Sequence, residues 1–185
     1  MKTLIINGSP RESGNTATLL DKLKKHLDGE VFQVDTYYAN SAPCNDCRHC
    51  WTNAECIIKD EMQDVYKAMD EADNVVVASP IYFGNLTGSL LNWASRLQLF
   101  WIARNIRKVE PLSEKYRKGA VILVVNRGKE NYEHAIFAGK DLLKKARAEC
   151  GDVLLWSDAD GANQSPPAAL NMEKIMKLAD TLNTR

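Results

Sequence analysis

Two stretches of this chain carry residue types that do chemistry. One is Cys44-x-x-Cys47-x-x-Cys50, with Cys56 six residues further on. Four thiols this close suggest metal or redox chemistry before disulfides. Thiolates are soft donors, and four of them can ligate one compact tetrahedral centre. Ferredoxin-type iron–sulfur cubanes use similar short C-x-x-C runs. Zinc can also fill a four-cysteine site, although zinc fingers separate their cysteine pairs whereas here both steps share Cys47. Free thiols and a redox-active disulfide stay open as well. The other stretch is Gly8-Ser9-Pro10-Arg11-Glu12-Ser13-Gly14-Asn15-Thr16, between an apolar run (Thr3–Asn7) and an amphipathic helical pattern. A strand, a small-polar loop and a helix start form the geometry that holds a phosphate. The loop gathers backbone N–H groups around one anion, and the helix N-terminus adds its partial positive charge. Ser9, Ser13, Asn15 and Thr16 bring side-chain donors and Arg11 a charge. The stretch has no Lys-Ser/Thr ending of the nucleoside-triphosphate type and no G-x-G-x-x-G.

These residues need a scaffold, and the hydrophobic pattern supplies one. Apolar runs read as strands at Thr3–Asn7, Glu30–Asp35, Asn74–Ser79, Gly119–Asn126 and Asp152–Ser157. Helical stripes fall at Thr16–Leu27, behind an Asp60-x-x-Gln63 cap, at Thr87–Arg104, Tyr132–Cys150 and Met172–Leu182. Alternation of this kind predicts an α/β fold, a parallel sheet covered by helices on both faces. Ligands then sit beyond the C-terminal strand ends, where strand order reverses. The loops Gly8–Thr16, Pro80–Asn85 and Asn126–Glu130 are accordingly the expected site. Residues 36–59 form a long cysteine-bearing insertion, and Lys108–Lys118 a charged connection. No repeat or linker divides the 185 residues, so one domain is expected.

With these motifs in hand, the chain resembles the flavodoxin-like NAD(P)H-dependent FMN reductase family. The resemblance rests on Gly8-Ser9-Pro10-Arg11, Gly14-Asn15-Thr16, Ala72-Asp73, and Ser79-Pro80-Ile81-Tyr82, in that order. It implies a flavodoxin-like three-layer sandwich with strand order 2-1-3-4-5. It also implies an FMN whose phosphate lies on Ser9, Arg11, Ser13, Gly14, Asn15 and Thr16. The flavin ring and ribityl chain would lie on Pro80, Ile81, Tyr82, Phe83, Gly84 and Asn85, with Asn126, Arg127 and Gly128 over another ring edge. Of a Lys and an Asp-Arg pair common in the family's third helix, only Arg96 survives here. The cysteine spacing is similar to that of the iron–sulfur flavoproteins, a subgroup in which such a loop carries a [4Fe–4S] cluster. Cys44, Cys47, Cys50 and Cys56 would then be its ligands.

The chemistry that this resemblance implies is hydride transfer from NAD(P)H to FMN. Electrons then pass to a flavin, a quinone or an electron-transfer partner, with the cluster as one route. No protein acid, base or nucleophile is needed, because the cofactor does the chemistry. A flavodoxin-like carrier without reductase activity is a rival, but carriers usually present strong net charge for steering, and this chain has a net charge of zero. A zinc or thiol redox module is the other rival. The balanced charge shows no nucleic-acid footprint, no window reads as a membrane span, and the start MKTLIINGSP reads as a strand; the expected location is the cytoplasm. Cys150 is expected as a small buried residue at a helix end, and the histidines show no ligand spacing. Leu90–Ile102 is apolar on more than one face, which suggests a homodimer or homotetramer.

Overall fold

Side chains alternate between the two faces of a strand, so an unbroken apolar run requires cover on both. The computed structural model, which describes residues 1–125, 132–156 and 168–184, shows this arrangement. Five parallel strands lie in the order β2-β1-β3-β4-β5. They are β1 (Lys2–Asn7), β2 (Glu30–Asp35), β3 (Asn74–Pro80), β4 (Arg117–Val124) and β5 (Ala148–Trp156). The helices are α1 (Asn15–Lys24), α2 (Met62–Glu71), α3 (Gly88–Ala94), α4 (Gln98–Asn105), α5 (Glu133–Lys145) and α6 (Ala168–Asn183). This is the flavodoxin-like order, whose reversal lies between β1 and β3.

Leu4 and Ile6 of β1, Val75 and Val77 of β3, and Val121 of β4 pack with Met62, Leu90, Trp93 and Leu143. Their chain neighbours Ile5, Val76 and Ala120 point the other way, to Leu19, Leu23, Ile175 and Leu178. Helices α2 to α5 therefore cover one face and α1 with α6 the other. Among the described residues, no helix is long and apolar enough to cross a membrane.

The structure corrects several expectations. The stretch expected as one helix over 87–104 is broken by a 3₁₀ turn, Ser95–Leu97, between α3 and α4. The Ser95 hydroxyl bonds the Asn92 carbonyl at 2.6 Å, a local side-chain bond that competes with helix geometry. Much of its apolar excess belongs to the core: Leu90, Trp93, Leu97, Leu99, Phe100 and Ile102 are buried, while Leu91 and Trp101 stay exposed. Cys150 lies in β5 and is half-buried, because α5 ends early at a left-handed Arg147 (φ 53°). Asp60 and Gln63 do not close a reciprocal cap. The Gln63 amide donates to Ile58 O, and the Asp60 carboxylate faces Arg96. Arg117, expected in the charged connection, is the fully buried first residue of β4.

Candidate functional site

The Gly8–Thr16 loop leaves the C-terminal end of β1 and is held from beneath. The Gly8 N–H donates to Ala78 O of β3 at 2.7 Å. Asn7 turns its side-chain oxygen to the Ser9 N–H at 3.0 Å. The Ser9 hydroxyl accepts the Arg11 N–H at 3.2 Å, so Ser9 shapes the loop from a buried position. Arg11 and Ser13 are exposed and Thr16 is buried at the start of α1. The first N–H groups of α1, including those of Thr16 and Ala17, have no carbonyl within the helix to bond, which leaves them directed at the loop.

The second loop makes a tight turn. Tyr82 and Asn85 exchange backbone hydrogen bonds at 2.9 and 3.0 Å, and Phe83 and Gly84 between them both have positive φ (53° and 72°). Glycine adopts this conformation freely, but a phenylalanine there is strained. Phe83 is fully exposed and Tyr82 is 43% exposed, so neither packs the core. The N–H groups of Ile81, Tyr82 and Asn85 are engaged, with Ile81 donating to Val124 O; those of Phe83 and Gly84 bond none of the described residues.

Thr87 joins the two loops. Its hydroxyl donates to Gly8 O at 2.8 Å, and its N–H donates to the Ser79 hydroxyl at 3.3 Å. All three groups are buried. Gly8 itself sits so close to α3 that a Cβ there would lie 2.9 Å from Leu90 Cδ2. Asn126, Arg127 and Gly128 lie outside the described residues.

The structure brings the four cysteines to one place, apart from these loops. Cys44, Cys47, Cys50 and Cys56 all line a cavity of about 420 Å³ with Arg96, Trp51, Leu99 and Trp101. Cys44 and Cys47 are exposed and the other two half-buried. Burial raises the pKa of the Cys50 thiol, and the nearby Cys44, Cys56 and Cys47 raise it further. Asp46 and Arg48, on either side of Cys47, both adopt left-handed backbone (φ 52° and 61°), and Arg48 lies over the Trp51 ring. Strained backbone of this kind persists where surroundings enforce it, commonly at functional sites. Among the described residues, no group of three or more His, Cys, Asp or Glu side chains is arranged to hold a metal ion. The donor set nevertheless fits a four-iron cluster: four soft thiols share one cavity, whose wall includes Arg96 with a buried Nε–H lacking an acceptor.

Sequence reasoning left the role of Arg96 open and missed its partner. Arg96 is buried in the 3₁₀ turn and pairs with Asp60 at 2.6 Å. Burial alone would raise the pKa of Asp60. Bonds from Arg96 and from the Ala42 and Met62 N–H groups outweigh it, holding the carboxyl below its ordinary 3.8. A carboxylate depressed by folding contributes stability above its unfolded pKa and loses it as pH falls through the folded one. The pair is therefore expected to hold above about pH 4 and to weaken progressively below it. Amide hydrogen exchange over residues 42–60, corrected for intrinsic rates, reads this; protection unchanged down to about pH 2 would contradict it.

Comparison with known proteins places this geometry among flavoproteins. A family model described as NADPH-dependent FMN reductase matches residues 1–137. An iron-sulfur flavoprotein of Archaeoglobus fulgidus is 34% identical over 100 residues, 52% of this chain and 46% of that one. The chain thus matches about half the length of that relative. An iron-sulfur flavoprotein of Clostridioides difficile is 25% identical over 95% of this chain and 75% of its own. The NAD(P)H:quinone oxidoreductase of Methanothermobacter marburgensis superposes with a TM-score of 0.71 over 100% of this chain and 97% of that one, at 13% identity.

Proposed function

The chain belongs to the NADPH-dependent FMN reductase family, and from that premise we propose that it is an FMN-dependent NAD(P)H oxidoreductase. The observation that carries this reading is Thr87. It ties the β1 loop to the β3 loop across the strand-order reversal, where doubly wound sheets bind their ligands. The two loops thereby present one surface with a tail-binding and a ring-binding half.

In this reading Arg11, Ser13, Gly14, Asn15 and Thr16 hold the FMN phosphate, with Ser9 setting the loop's shape. Pro80, Ile81, Tyr82, Phe83, Gly84 and Asn85 hold the ring, and Asn126, Arg127 and Gly128 complete its edge. The Phe83 and Gly84 N–H groups are the backbone donors in that loop suited to the ring's polar rim. FMN, when bound, supplies the capacity to accept hydride and to release electrons one or two at a time. The protein needs only to orient the nicotinamide and exclude water. The final acceptor is a flavin, a quinone or an electron-transfer partner. Cys44, Cys47, Cys50 and Cys56 hold a [4Fe–4S] cluster, which would pass electrons on singly. Heat-released cofactor identified by mass, followed by anaerobic stopped-flow mixing with NADPH and with NADH, tests the reading. One FMN per chain and rapid bleaching of its visible bands are expected. A protein that does not retain FMN overturns the proposal, and one that bleaches only slowly is a carrier.

The strain at Phe83 gives a separable expectation. Phe83→Gly relieves a left-handed phenylalanine and should raise stability by about 1 kcal/mol. It also removes an aromatic surface, and should weaken FMN binding roughly tenfold. A urea midpoint and a flavin fluorescence titration read the two effects. Unchanged FMN affinity would return Phe83 to an ordinary turn residue.

A further inference from the structure

An arginine guanidinium carries five N–H donors in a rigid fork. In Arg96 four of them are accounted for. Nη1 donates to Ala42 O at 2.8 Å and to Asp60 Oδ2 at 2.6 Å. Nη2 donates to Ile58 O and to Asp60 Oδ1, both at 3.2 Å. Ala42 and Ile58 bracket Cys44–Cys56, so one side chain grips both ends of the cysteine segment. Ser95, the preceding residue, reinforces this grip: its hydroxyl accepts the Cys44 N–H at 2.9 Å.

The fifth donor is different. The Nε–H is buried and has no acceptor, although Arg96 is only 2% exposed and lines the cavity of the four cysteines. A buried charged donor without a partner is unfavourable, and its persistence points to an acceptor that the protein alone does not provide. Four of the residues lining that cavity are cysteines, so a sulfur acceptor is the chemistry that matches. The 3₁₀ break between α3 and α4 falls where Ser95 and Arg96 must reach the cysteine segment, as such breaks commonly do at functional points.

We propose that Arg96 is the positioning residue of the cysteine site: its Nη groups close the loop at both ends, and its Nε–H is held for a sulfur of the iron–sulfur cluster. The proposal rests on the cluster reading given above. Hydrogen bonds to cluster sulfurs favour the more negative, reduced state and so raise the reduction potential. Lysine at position 96 would keep the charge and lose both the fork and the Nε–H. Asparagine at position 60 would loosen the grip and leave the Nε–H in place.

The test compares FMN-loaded wild type, Arg96→Lys and Asp60→Asn after anaerobic reconstitution with ferrous iron and sulfide. FMN content and the urea midpoint check the fold. Iron, acid-labile sulfide and midpoint potential are the readouts. Arg96→Lys is expected to keep its FMN, to hold less than half the wild-type iron and sulfide, and to shift the remaining cluster to a more negative potential. Asp60→Asn is expected to lose loading with its potential unchanged. Full loading at an unchanged potential in Arg96→Lys overturns the role of Arg96 and leaves the cluster reading intact. Loss of FMN in step with iron in both variants makes Arg96 a support of the fold alone and also overturns it. A wild type that takes up neither iron nor sulfide overturns both readings together.

Discussion

Replacing Gly8 with valine is expected to lower stability by about 2 to 3 kcal/mol and to weaken FMN binding at least tenfold. An ideal Cβ at this position lies 2.9 Å from Leu90 Cδ2, 3.0 Å from Leu90 Cβ and 3.1 Å from Thr87 Oγ1. Leu90 is fully buried, and close-packed interiors leave little room for a side chain to swing aside. Thr87 cannot retreat without breaking its bond to Gly8 O. The strain can be relieved by moving α3 off the end of β1, and that motion separates the two loops on which FMN is proposed to lie. Gly88→Ala is the control, because a Cβ there meets nothing within 4 Å. It should be neutral or stabilising by up to about 1 kcal/mol. Urea midpoints and FMN titrations of both variants decide the matter. Wild-type FMN affinity in Gly8→Val would show that the loops bind independently, and the role given to Thr87 would fail.

The same contacts explain what was legible in the sequence. Strands buried on both faces are written as unbroken apolar runs, so the sheet followed directly from Leu4–Ile6, Val75–Val77 and Val121–Leu123. The two loops were legible because topology, not side-chain detail, puts them at the switch point. Gly84 is of the residue type that adopts left-handed backbone freely, but nothing in a phenylalanine announces the same backbone at Phe83. Arg147 takes the left-handed residue that commonly ends a helix and is usually glycine, which is why Cys150 read as helical. Arg96 and Asp60 are 36 residues apart, and their pairing exists only once the sheet has formed. Asp60 read as a helix cap and does accept the Met62 N–H at the start of α2, but its reciprocal partner Gln63 turns to Ile58 O, and the same carboxylate also takes two bonds from the buried Arg96 guanidinium.

Arg117→Met is expected to be the most destabilising single change, at about 3 to 5 kcal/mol, with FMN affinity of the folded protein nearly unchanged. Arg117 has no solvent exposure, and burial pulls its pKa below the usual arginine value. Its guanidinium bonds Met69 O and Asp70 O at the C-terminal end of α2, and Ser113 O and Lys115 O in the segment before β4. The last carbonyls of a helix have no partner within it, so this side chain supplies what a capping motif would. Methionine fills the volume and leaves those acceptors unpaired and desolvated. The ion pair with Asp70 contributes less, because that carboxylate is 45% exposed and 3.4 Å away. Asp70→Asn should therefore cost about 1 kcal/mol or less. Arg117→Lys should recover only part of the loss, since a single ammonium cannot span carbonyls on two segments. The site is spared because Arg117 opens β4 at the N-terminal end of the strands, opposite the loops and roughly 23 Å of strand away. Urea unfolding of the three variants, followed by circular dichroism and by flavin fluorescence, separates these terms. Equal losses in Asp70→Asn and Arg117→Met would mean that the charge pair, and not the capped carbonyls, holds α2 to the sheet.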